Sequence, residues 1–368
     1  MKSVTLSLLQ SAANAFDFGG PVLCDAHHYG EGHINDTFVV WREDHSKRFI
    51  LQRINTDTFT NPVGLMENVC GVTRHLREKI LAAGGDPARE TLNVIPTLSG
   101  AACHLDAEGG AWRAYDFVED TICLQQVGSE ADFRTVAETL GKFQNQLADY
   151  PASTLHETIA RFHDTPNRYA NFEKALSADA LGRAKDIAPE VAFIHAREKD
   201  CHALLDLLAA GEIPLRVTHN DTKISNVLFD RETGRALCVI DLDTVMPGLC
   251  AFDFGDSIRA GATTAAEDEA DLSKVHFDLE RFAAYTEGFL SAAGKALTPT
   301  ELATLPDGAL LMTFEVGIRF LADYLNGDVY FRTAYPEHNL VRARNQFKLV
   351  EEMEQKRTGM DALIQKYQ

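Results

Sequence analysis

The segment HNDTKISNVLFD, His219–Asp230, joins three chemically useful side chains to a strand-like apolar run. Asp221 lies two residues after His219, and Asn226 follows Asp221 by five residues, directly before the apolar run. A second acidic segment, VIDLDTVMPG, lies just downstream. The polar turn between the two apolar runs contains Gly234, so the pattern predicts a β-hairpin.

This predicted hairpin indicates where chemistry would take place. Asn226 precedes its first strand and Asp241 ends its second, so an antiparallel return brings an amide oxygen and a carboxylate together. Such hard oxygen ligands suit Mg²⁺ beside nucleotide phosphates. Asp221, on the preceding loop, can accept a hydroxyl proton during phosphoryl transfer. A single loop aspartate is usually a solvated turn residue or a helix cap, but the three residues together favour phosphoryl transfer.

Length and composition exclude several other classes of protein. The chain has 368 residues, which predicts two packed lobes, and no window contains the roughly 18 uninterrupted apolar residues of a membrane helix. A formal charge of −19 disfavours nucleic acid and anionic membranes as partners, so any phosphate site must be built locally. The seven cysteines are scattered without a CxxC pair, which favours a reducing, cytoplasmic location.

The secondary-structure signals change along the chain. Strand-like runs such as TFVVW and RFILQRI dominate residues 25–119, interrupted by a helical interval near residues 63–83. Long helical periods dominate after residue 129, apart from the two runs of the predicted hairpin. The expected fold class is therefore α+β, with a strand-rich N-terminal lobe over residues 1–118 and a mostly helical C-terminal lobe over residues 119–368.

The segment HNDTKISN has the form H-x-D-x-x-x-x-N and resembles the catalytic loop of the aminoglycoside-phosphotransferase-like branch of the protein-kinase-like fold. IDLD stands where that branch carries its metal-binding aspartate. Longer segments, over residues 29–36, 48–55 and 215–262, resemble the bacterial N-acetylhexosamine 1-kinases of that branch. The resemblance implies that Asp221 is the catalytic base and that Asn226 and Asp241 are Mg²⁺ ligands. His219 would be an architectural member of the loop.

The resemblance also implies a bilobal protein-kinase-like fold and an activity. The N-terminal lobe would bind ATP, and the C-terminal lobe would carry the catalytic and sugar-binding residues. The expected reaction transfers the γ-phosphoryl group of ATP to the anomeric hydroxyl of N-acetylglucosamine or N-acetylgalactosamine. One alternative is another small-molecule kinase of the same fold, acting on an aminoglycoside, an amino alcohol or another sugar. The other is a non-catalytic nucleotide-binding module.

The segment AFDFGD, Ala251–Asp256, contains the letters DFG of the metal-binding motif in protein kinases. Asp253 lies beyond the predicted hairpin and after the turn-forming MPG, so the letters alone do not give it the position at the end of the second strand. We therefore predict that Asp241 binds the metal. Asp253 and Asp256 are expected to be structural carboxylates that brace the catalytic loop.

The nucleotide side of the predicted site starts at YGEGHIND, residues 29–36. This segment precedes a strand and could cover phosphates with backbone N–H groups, although Asn35 stands where a G-x-G-x-x-G loop has its third glycine. A simple hairpin turn is the alternative. With the resemblance, the expected phosphate-facing or sugar-facing residues are Gly30, Gly32, His33 and Asn35.

The lysine that protein kinases carry on their third strand is absent from RFILQRIN, which offers Gln52 and Arg53. Arginine binds phosphate in a bidentate manner, so Arg53 is a candidate substitute, with Glu67 on the next helix as its candidate partner. The alternative for Arg53 is a solvent-facing position on the strand.

The expected sugar contacts are three residues. Asp243 would share a strand face with Asp241 if the extended geometry continues, and it either contacts sugar or caps the turn. Arg319 and Tyr330 match positions that contact the hexosamine in the kinases that the sequence resembles. Without that match, both would be ordinary core-edge residues.

Overall fold

The structure is a computed structural model that describes residues 4–30, 32 and 34–368. Its contacts divide the chain into two compact units, each assembled from separate segments. The strand-rich unit comprises Met1–Ile122, Asp149–Ala160 and Leu228–Pro247, and the helical unit comprises Cys123–Ala148, Arg161–Val227 and Gly248–Gln368. The predicted α+β class, with strands concentrated in the N-terminal part and helices in the C-terminal part, is confirmed. The lobe boundary after residue 118 stays a prediction.

The strand-rich unit is built on an antiparallel sheet with the strand order β1-β2-β3-β6-β4, and β5 pairs with β6. The sequence runs TFVVW and RFILQRI lie in β2 and β3, as predicted, and the run AWRAYD forms β6. The elements of this sheet and the three helices of the same unit are α1 Leu6–Ala13, β1 Val22–Cys24, β2 Asp36–Arg42, β3 Arg48–Ile54, α2 Pro62–Ala82, α3 Pro87–Glu90, β4 Val94–Ile95, β5 His104–Leu105 and β6 Ala111–Asp116.

The two faces of this sheet have different environments. Phe38, Leu51 and Trp112 point to one face, where they form a buried apolar cluster with Leu9 and other residues of α1. Thr37, Gln52 and Arg113 are register partners across β2, β3 and β6, and they share the opposite face because side chains alternate along a strand. The second face therefore carries polar side chains within the unit.

The predicted hairpin is confirmed. It consists of β9 Val227–Asp230 and β10 Ala236–Val239, and β7 Thr121–Cys123 pairs with the other edge of β9. The Asp230 carboxylate accepts a hydrogen bond of 2.7 Å from the backbone N–H of Thr233, and Gly234 has the positive φ of 68° that closes the turn. A 3-10 turn over Leu242–Thr244 and the strand β11 Met246–Gly248 follow.

The helical unit packs around α11, which contacts α5, α8 and α12, while α4 packs against α9. Within the described part of the chain, no helix combines the length and the apolar character needed to cross a bilayer. The elements of this unit are α4 Glu130–Gln146, α5 Thr165–Ala178, α6 Ala188–His195, α7 Ala203–Ala209, β8 Arg216–Thr218, α8 Cys250–Gly261, α9 Leu279–Ala293, α10 Pro299–Ala303, α11 Leu305–Asn326, α12 His338–Gln355 and α13 Arg357–Ile364.

Glycines let α8 and α11 approach until their backbones touch. A Cβ added at Gly255 would overlap the carbonyl oxygen of Gly308, and a Cβ added at Gly308 would overlap the carbonyl oxygen of Ala251. Gly255 is the glycine of AFDFGD, so in this chain it serves helix packing. Because α8 also carries Asp253, this contact fixes the position of that carboxylate within the helical unit.

We predict that Gly255→Ala lowers the free energy of unfolding by about 1–3 kcal/mol, because the added methyl group meets backbone atoms that cannot rotate away. Urea denaturation measures the change. Gly294→Ala is the matched control, since a Cβ at Gly294 meets only Leu290 side-chain atoms at 3.5 Å and 3.8 Å. Equal unfolding energies for the two variants would contradict the glycine-packing account.

Candidate active site

The predicted site residues fall in both units, and each set is described within its own unit. In the helical unit, β8 leads into the loop of residues 219–226, which ends at β9. His219 is fully buried, and its Nδ1 accepts a hydrogen bond of 3.3 Å from the backbone N–H of Asp221. The histidine therefore shapes the loop from inside, as expected for an architectural residue.

Asp253 holds the same loop from α8. Its Oδ1 accepts a 2.7 Å hydrogen bond from the backbone N–H of Asn220, and its Oδ2 accepts a 2.9 Å hydrogen bond from the backbone N–H of His219. The Gln144 side chain also donates to Oδ2. Asn220 has φ = 64°, an uncommon conformation for a non-glycine residue, which these contacts stabilise. Asp253 therefore braces this loop, as predicted, whereas Asp256 accepts a 2.9 Å hydrogen bond from Arg259 Nε on its own helix.

Asp221 lies between two donors on its own loop. Its Oδ2 accepts hydrogen bonds from Lys223 Nζ at 2.8 Å and from Asn226 Nδ2 at 2.9 Å, and Asn226 Nδ2 also donates to the Asp221 carbonyl at 2.8 Å. The Asp221 side chain is 30% exposed, so it is held in place but accessible. Sequence reasoning missed Lys223, although its position two residues after Asp221 on a non-helical loop was a usable signal.

The charge of Asp221 follows from these contacts. Burial opposes ionisation of the carboxyl, but the Lys223 ammonium and the hydrogen bonds from Lys223 and Asn226 outweigh burial and lower the pKa of Asp221. The group is therefore a carboxylate at neutral pH. It can accept a proton from an acceptor hydroxyl, as a general base requires.

Asn226 fits the metal-ligand role through the orientation of its amide. The nitrogen is used twice on Asp221, so the oxygen is the atom that Asn226 can offer to a cation. Mg²⁺ at such oxygen ligands would supply positive charge to nucleotide phosphates.

In the strand-rich unit, the two aspartates that follow β10 have different environments. Asp241 is exposed and adopts the left-handed conformation, with φ = 59° and ψ = 55°. Asp243 is only 3% exposed; its Oδ2 accepts a 2.6 Å hydrogen bond from Asn35 Nδ2, and its Oδ1 pairs with Arg113. The exposed carboxylate of Asp241 suits a cation. The carboxylate of Asp243 is occupied by protein donors, and its role as a sugar contact stays a prediction.

The predicted nucleotide turn is only partly described, because His33 lies outside the described residues. Gly30 has φ = 81°, and a Cβ at Gly30 or Gly32 would meet no atom within 4 Å. Asn35 uses both ends of its amide, since Oδ1 accepts a 2.9 Å hydrogen bond from the Asn55 backbone while Nδ2 donates to Asp243. The nucleotide-binding roles of these residues stay predictions.

Arg53 points to the opposite face of β3 from Gln52, because neighbouring residues on a strand alternate. Its guanidinium lies 5.9 Å from the Trp112 ring centroid. Glu67, its candidate partner, pairs with His156 at 2.6 Å. The cation beside Gln52 is instead Arg113, whose Nε donates a 2.9 Å hydrogen bond to Gln52 Oε1. Sequence reasoning missed Arg113 because strand pairing brings it to Gln52. A nucleotide role for Arg53 stays a prediction.

The predicted sugar residues of the helical unit lie close together. The Arg319 guanidinium lies 5.3 Å from the ring centroid of Phe162, 5.9 Å from that of Tyr330 and 5.5 Å from that of Phe331. Tyr330 is 60% exposed, and its backbone N–H donates a 2.8 Å hydrogen bond to Asp323. The structure therefore brings Arg319 and Tyr330 into one cluster with two aromatic residues that the sequence did not single out.

Comparisons with known proteins agree with this architecture and with the loop chemistry. Residues 25–288 match the model of the APH phosphotransferase enzyme family. The match covers more than half of the chain, so the chain belongs to this family. It is a small-molecule phosphotransferase, and the kinase class predicted from the sequence is confirmed.

Solved structures show the same fold at low sequence identity. A microcompartment-associated aminopropanol kinase matches with a TM-score of 0.65 and 18% identity, covering 97% of this chain and 99% of the other. An aminoglycoside phosphotransferase from Alicyclobacillus acidocaldarius matches with a TM-score of 0.62 and 13% identity, covering 97% and 96%. An ethanolamine kinase from Plasmodium vivax matches with a TM-score of 0.55 and 12% identity, covering 91% and 83%.

We predict that Lys223→Met moves the acid limb of kcat/KM to higher pH. Removing the ammonium removes an attraction that lowers the pKa of Asp221, while burial of the carboxyl continues to raise it. The rate of ADP release across pH measures the shift. Lys223→Arg keeps the charge and should leave the limb near its wild-type position. An unshifted limb in Lys223→Met would show that Lys223 does not control Asp221.

The two candidate metal aspartates should respond differently to truncation. Asp241→Ala should abolish Mg²⁺-dependent turnover and lower the unfolding free energy by less than Asp253→Ala does, because Asp241 is exposed. Asp253→Ala should cost about 3 kcal/mol or more, because it leaves buried N–H groups without an acceptor. Urea denaturation and ADP release measure the two effects. The reverse pattern would assign the metal to Asp253.

Proposed function

We propose that this protein is a cytoplasmic kinase that transfers the γ-phosphoryl group of ATP to the anomeric hydroxyl of N-acetylglucosamine or N-acetylgalactosamine. The products are the N-acetylhexosamine 1-phosphate and ADP. Membership of the phosphotransferase family and the accessible Asp221 carboxylate support the phosphoryl transfer. The choice of sugar and hydroxyl rests on the sequence resemblance and on the surroundings of Arg319.

In this proposal Asp221 is the general base. Its carboxylate accepts the proton of the attacking hydroxyl as the new O–P bond forms, and the bond between the γ-phosphorus and the β–γ bridging oxygen breaks to leave ADP. Lys223 and Asn226 hold the carboxylate in one orientation. Asn226 and Asp241 would hold Mg²⁺, and Gly30, Gly32, His33, Asn35 and Arg53 remain the candidate nucleotide contacts.

The availability of the Arg319 guanidinium is the observation that carries the choice of acceptor. Across the described residues, 4–30, 32 and 34–368, Arg319 donates no hydrogen bond to another side chain or carbonyl, although it lies among three aromatic rings. Its N–H groups can therefore donate to hydroxyl or carbonyl oxygens of a ligand. Aromatic faces beside such donors suit the apolar faces of a sugar ring.

Charge also separates a sugar from an amino alcohol. Burial, and then the nearby positive charge of Arg319, lower the pKa of Arg168, so two guanidinium groups lie near one another. The neighbouring Glu315 carboxylate is occupied by His163 and Thr165 at 2.9 Å and 2.7 Å. An ammonium group bound here needs a carboxylate that is open to it, and the Glu315 carboxylate is already engaged by protein donors, whereas a neutral acetamido sugar needs no counter-charge. This disfavours acceptors such as the amino alcohols in the names of the aminopropanol and ethanolamine kinases.

A panel of acceptors tests the proposal. With MgATP, N-acetylglucosamine or N-acetylgalactosamine should release ADP, whereas ethanolamine, aminopropanol and an aminoglycoside should not. Methyl N-acetylglucosaminide should not be phosphorylated, because it lacks the anomeric proton and a free nucleophilic oxygen. Product analysis by phosphorus NMR identifies the hydroxyl. A 6-phosphate, or turnover of the methyl glycoside, would overturn the 1-kinase assignment but leave the kinase class intact.

Two variants separate the acceptor site from the chemistry. Asp221→Asn keeps the shape of the side chain but cannot accept the proton, so turnover should be nearly lost while MgATP still binds. Arg319→Ala should raise KM for the sugar about tenfold or more with little change in KM for ATP. Equal changes in both KM values would remove Arg319 from the acceptor site. Turnover of an amino alcohol by the wild-type protein would favour the other small-molecule kinases, and failure to bind MgATP would exclude kinase function.

A further inference from the structure

A continuous row of polar contacts crosses the second face of the sheet in the strand-rich unit. Thr37 Oγ1 accepts a 2.9 Å hydrogen bond from Gln52 Nε2, and Gln52 Oε1 accepts a 2.9 Å hydrogen bond from Arg113 Nε. Arg113 then pairs through NH1 with Asp243. Asn35 donates to the other oxygen of the same carboxylate at 2.6 Å. Three strands, the turn before β2 and the turn after β10 are therefore joined through one arginine and one aspartate.

The central ion pair is buried. The side chain of Arg113 is 2% exposed and that of Asp243 is 4% exposed. Burial alone would lower the pKa of Arg113, but attraction to Asp243, and further along to Asp241, raises it above its ordinary value. Arg113 thus stays charged inside the unit, and the field of Asp241 reaches it.

Stability by itself does not account for such a pair. The desolvation of two buried charges is comparable with their mutual attraction, and an apolar pair of similar volume often does as well. The ion pair does, however, hold the Asp243 carboxylate in one orientation. Arg113 NH1 on Oδ1 and Asn35 Nδ2 on Oδ2 together fix the Asp243 carboxylate, and Asp243 lies in the 3-10 turn Leu242–Thr244 that directly follows Asp241. Asp241 holds left-handed φ and ψ at the start of that turn, a conformation that needs support from its surroundings.

We propose that Arg113 and Asp243 are positioning residues for the bound MgATP. Their ion pair fixes the turn that presents Asp241, and the bond from Asn35 ties the turn before β2 to the same carboxylate. The inference rests on the proposed function, since it takes Asp241 as the metal ligand. It gives Arg113, on the Gln52 face, a supporting role that differs from the phosphate contact expected of Arg53. It also makes Asp243 a support for the metal turn.

The test measures the binding of ADP with and without Mg²⁺ by calorimetry, so it does not depend on the acceptor. The ratio of the two Kd values is the gain in ADP affinity that Mg²⁺ provides, which we call the Mg²⁺ gain. The double variant R113M/D243L replaces the ion pair with an apolar pair of similar size, so that neither charge is left buried alone. We expect its ADP affinity without Mg²⁺ to stay within about twofold of wild type and its Mg²⁺ gain to fall about tenfold or more, towards the value for Asp241→Ala.

Two controls keep the result interpretable. Arg89→Met removes another arginine–aspartate pair of the same unit, with Asp230 at 2.9 Å, and should leave the Mg²⁺ gain unchanged. Arg113→Lys keeps the charge opposite Asp243 but loses the planar fork, so it should retain more of the gain than the double variant. If the double variant does not fold, the gain in Arg113→Lys decides: a wild-type value overturns the inference, and a partial loss supports it.

The remaining outcomes separate this inference from the proposed function. A double variant that keeps the full Mg²⁺ gain but has a raised KM for the sugar would make Asp243 a sugar contact and overturn the inference alone. A wild-type protein that binds ADP with no gain from Mg²⁺ would remove both the metal role of Asp241 and the inference. A wild-type protein that shows the gain but phosphorylates no N-acetylhexosamine would overturn the choice of acceptor and leave the inference standing.

Discussion

The hydrogen bonds from the backbone N–H groups of His219 and Asn220 to the buried Asp253 carboxylate are the contacts on which the loop of residues 219–226 depends. A carboxylate that accepts several N–H bonds away from water gives strong and directional contacts, and its loss would leave those donors unsatisfied. The close approach of α8 and α11 through Gly255 and Gly308 holds Asp253 in place. Helix packing therefore helps to orient Asp221, the residue that directly follows Asn220 in this loop.

In each of the two units, a buried carboxylate holds a loop or a turn in place, but its partners differ. In the helical unit, a buried anion accepts backbone hydrogen bonds and fixes a loop. In the strand-rich unit, a buried anion pairs with the Arg113 cation and fixes the turn that begins at Asp241. In both cases the aspartate that is most enclosed by protein supports an aspartate that is more accessible, Asp253 for Asp221 and Asp243 for Asp241. Burial thus separates the supporting carboxylates from those suited to a substrate or a cation.

The fold of this chain does not define the acceptor that it phosphorylates. Neighbours with the same fold share 12–18% of their residues with this chain, so they define the architecture without defining the acceptor. The cluster of Arg319, Phe162, Tyr330 and Phe331 lies in the helical unit of this chain. Its guanidinium can donate hydrogen bonds to oxygen atoms of a ligand.

The α+β class, the hairpin and the loop that carries Asp221 and Asn226 could be predicted from the sequence, because they depend on periodicity and on residues close together in the chain. The sequence also showed that Asp253 lies beyond the end of the hairpin, because the MPG segment stands between them. Three features could be seen only in the folded chain: Arg113 lies beside Gln52, Asp243 is enclosed while Asp241 is exposed, and Phe162 lies against Arg319. Arg113 and Gln52 are 61 positions apart, and Phe162 and Arg319 are 157 positions apart, so strand register and helix packing decide whether these residues meet. The same tertiary packing decides which of the two neighbouring aspartates is buried.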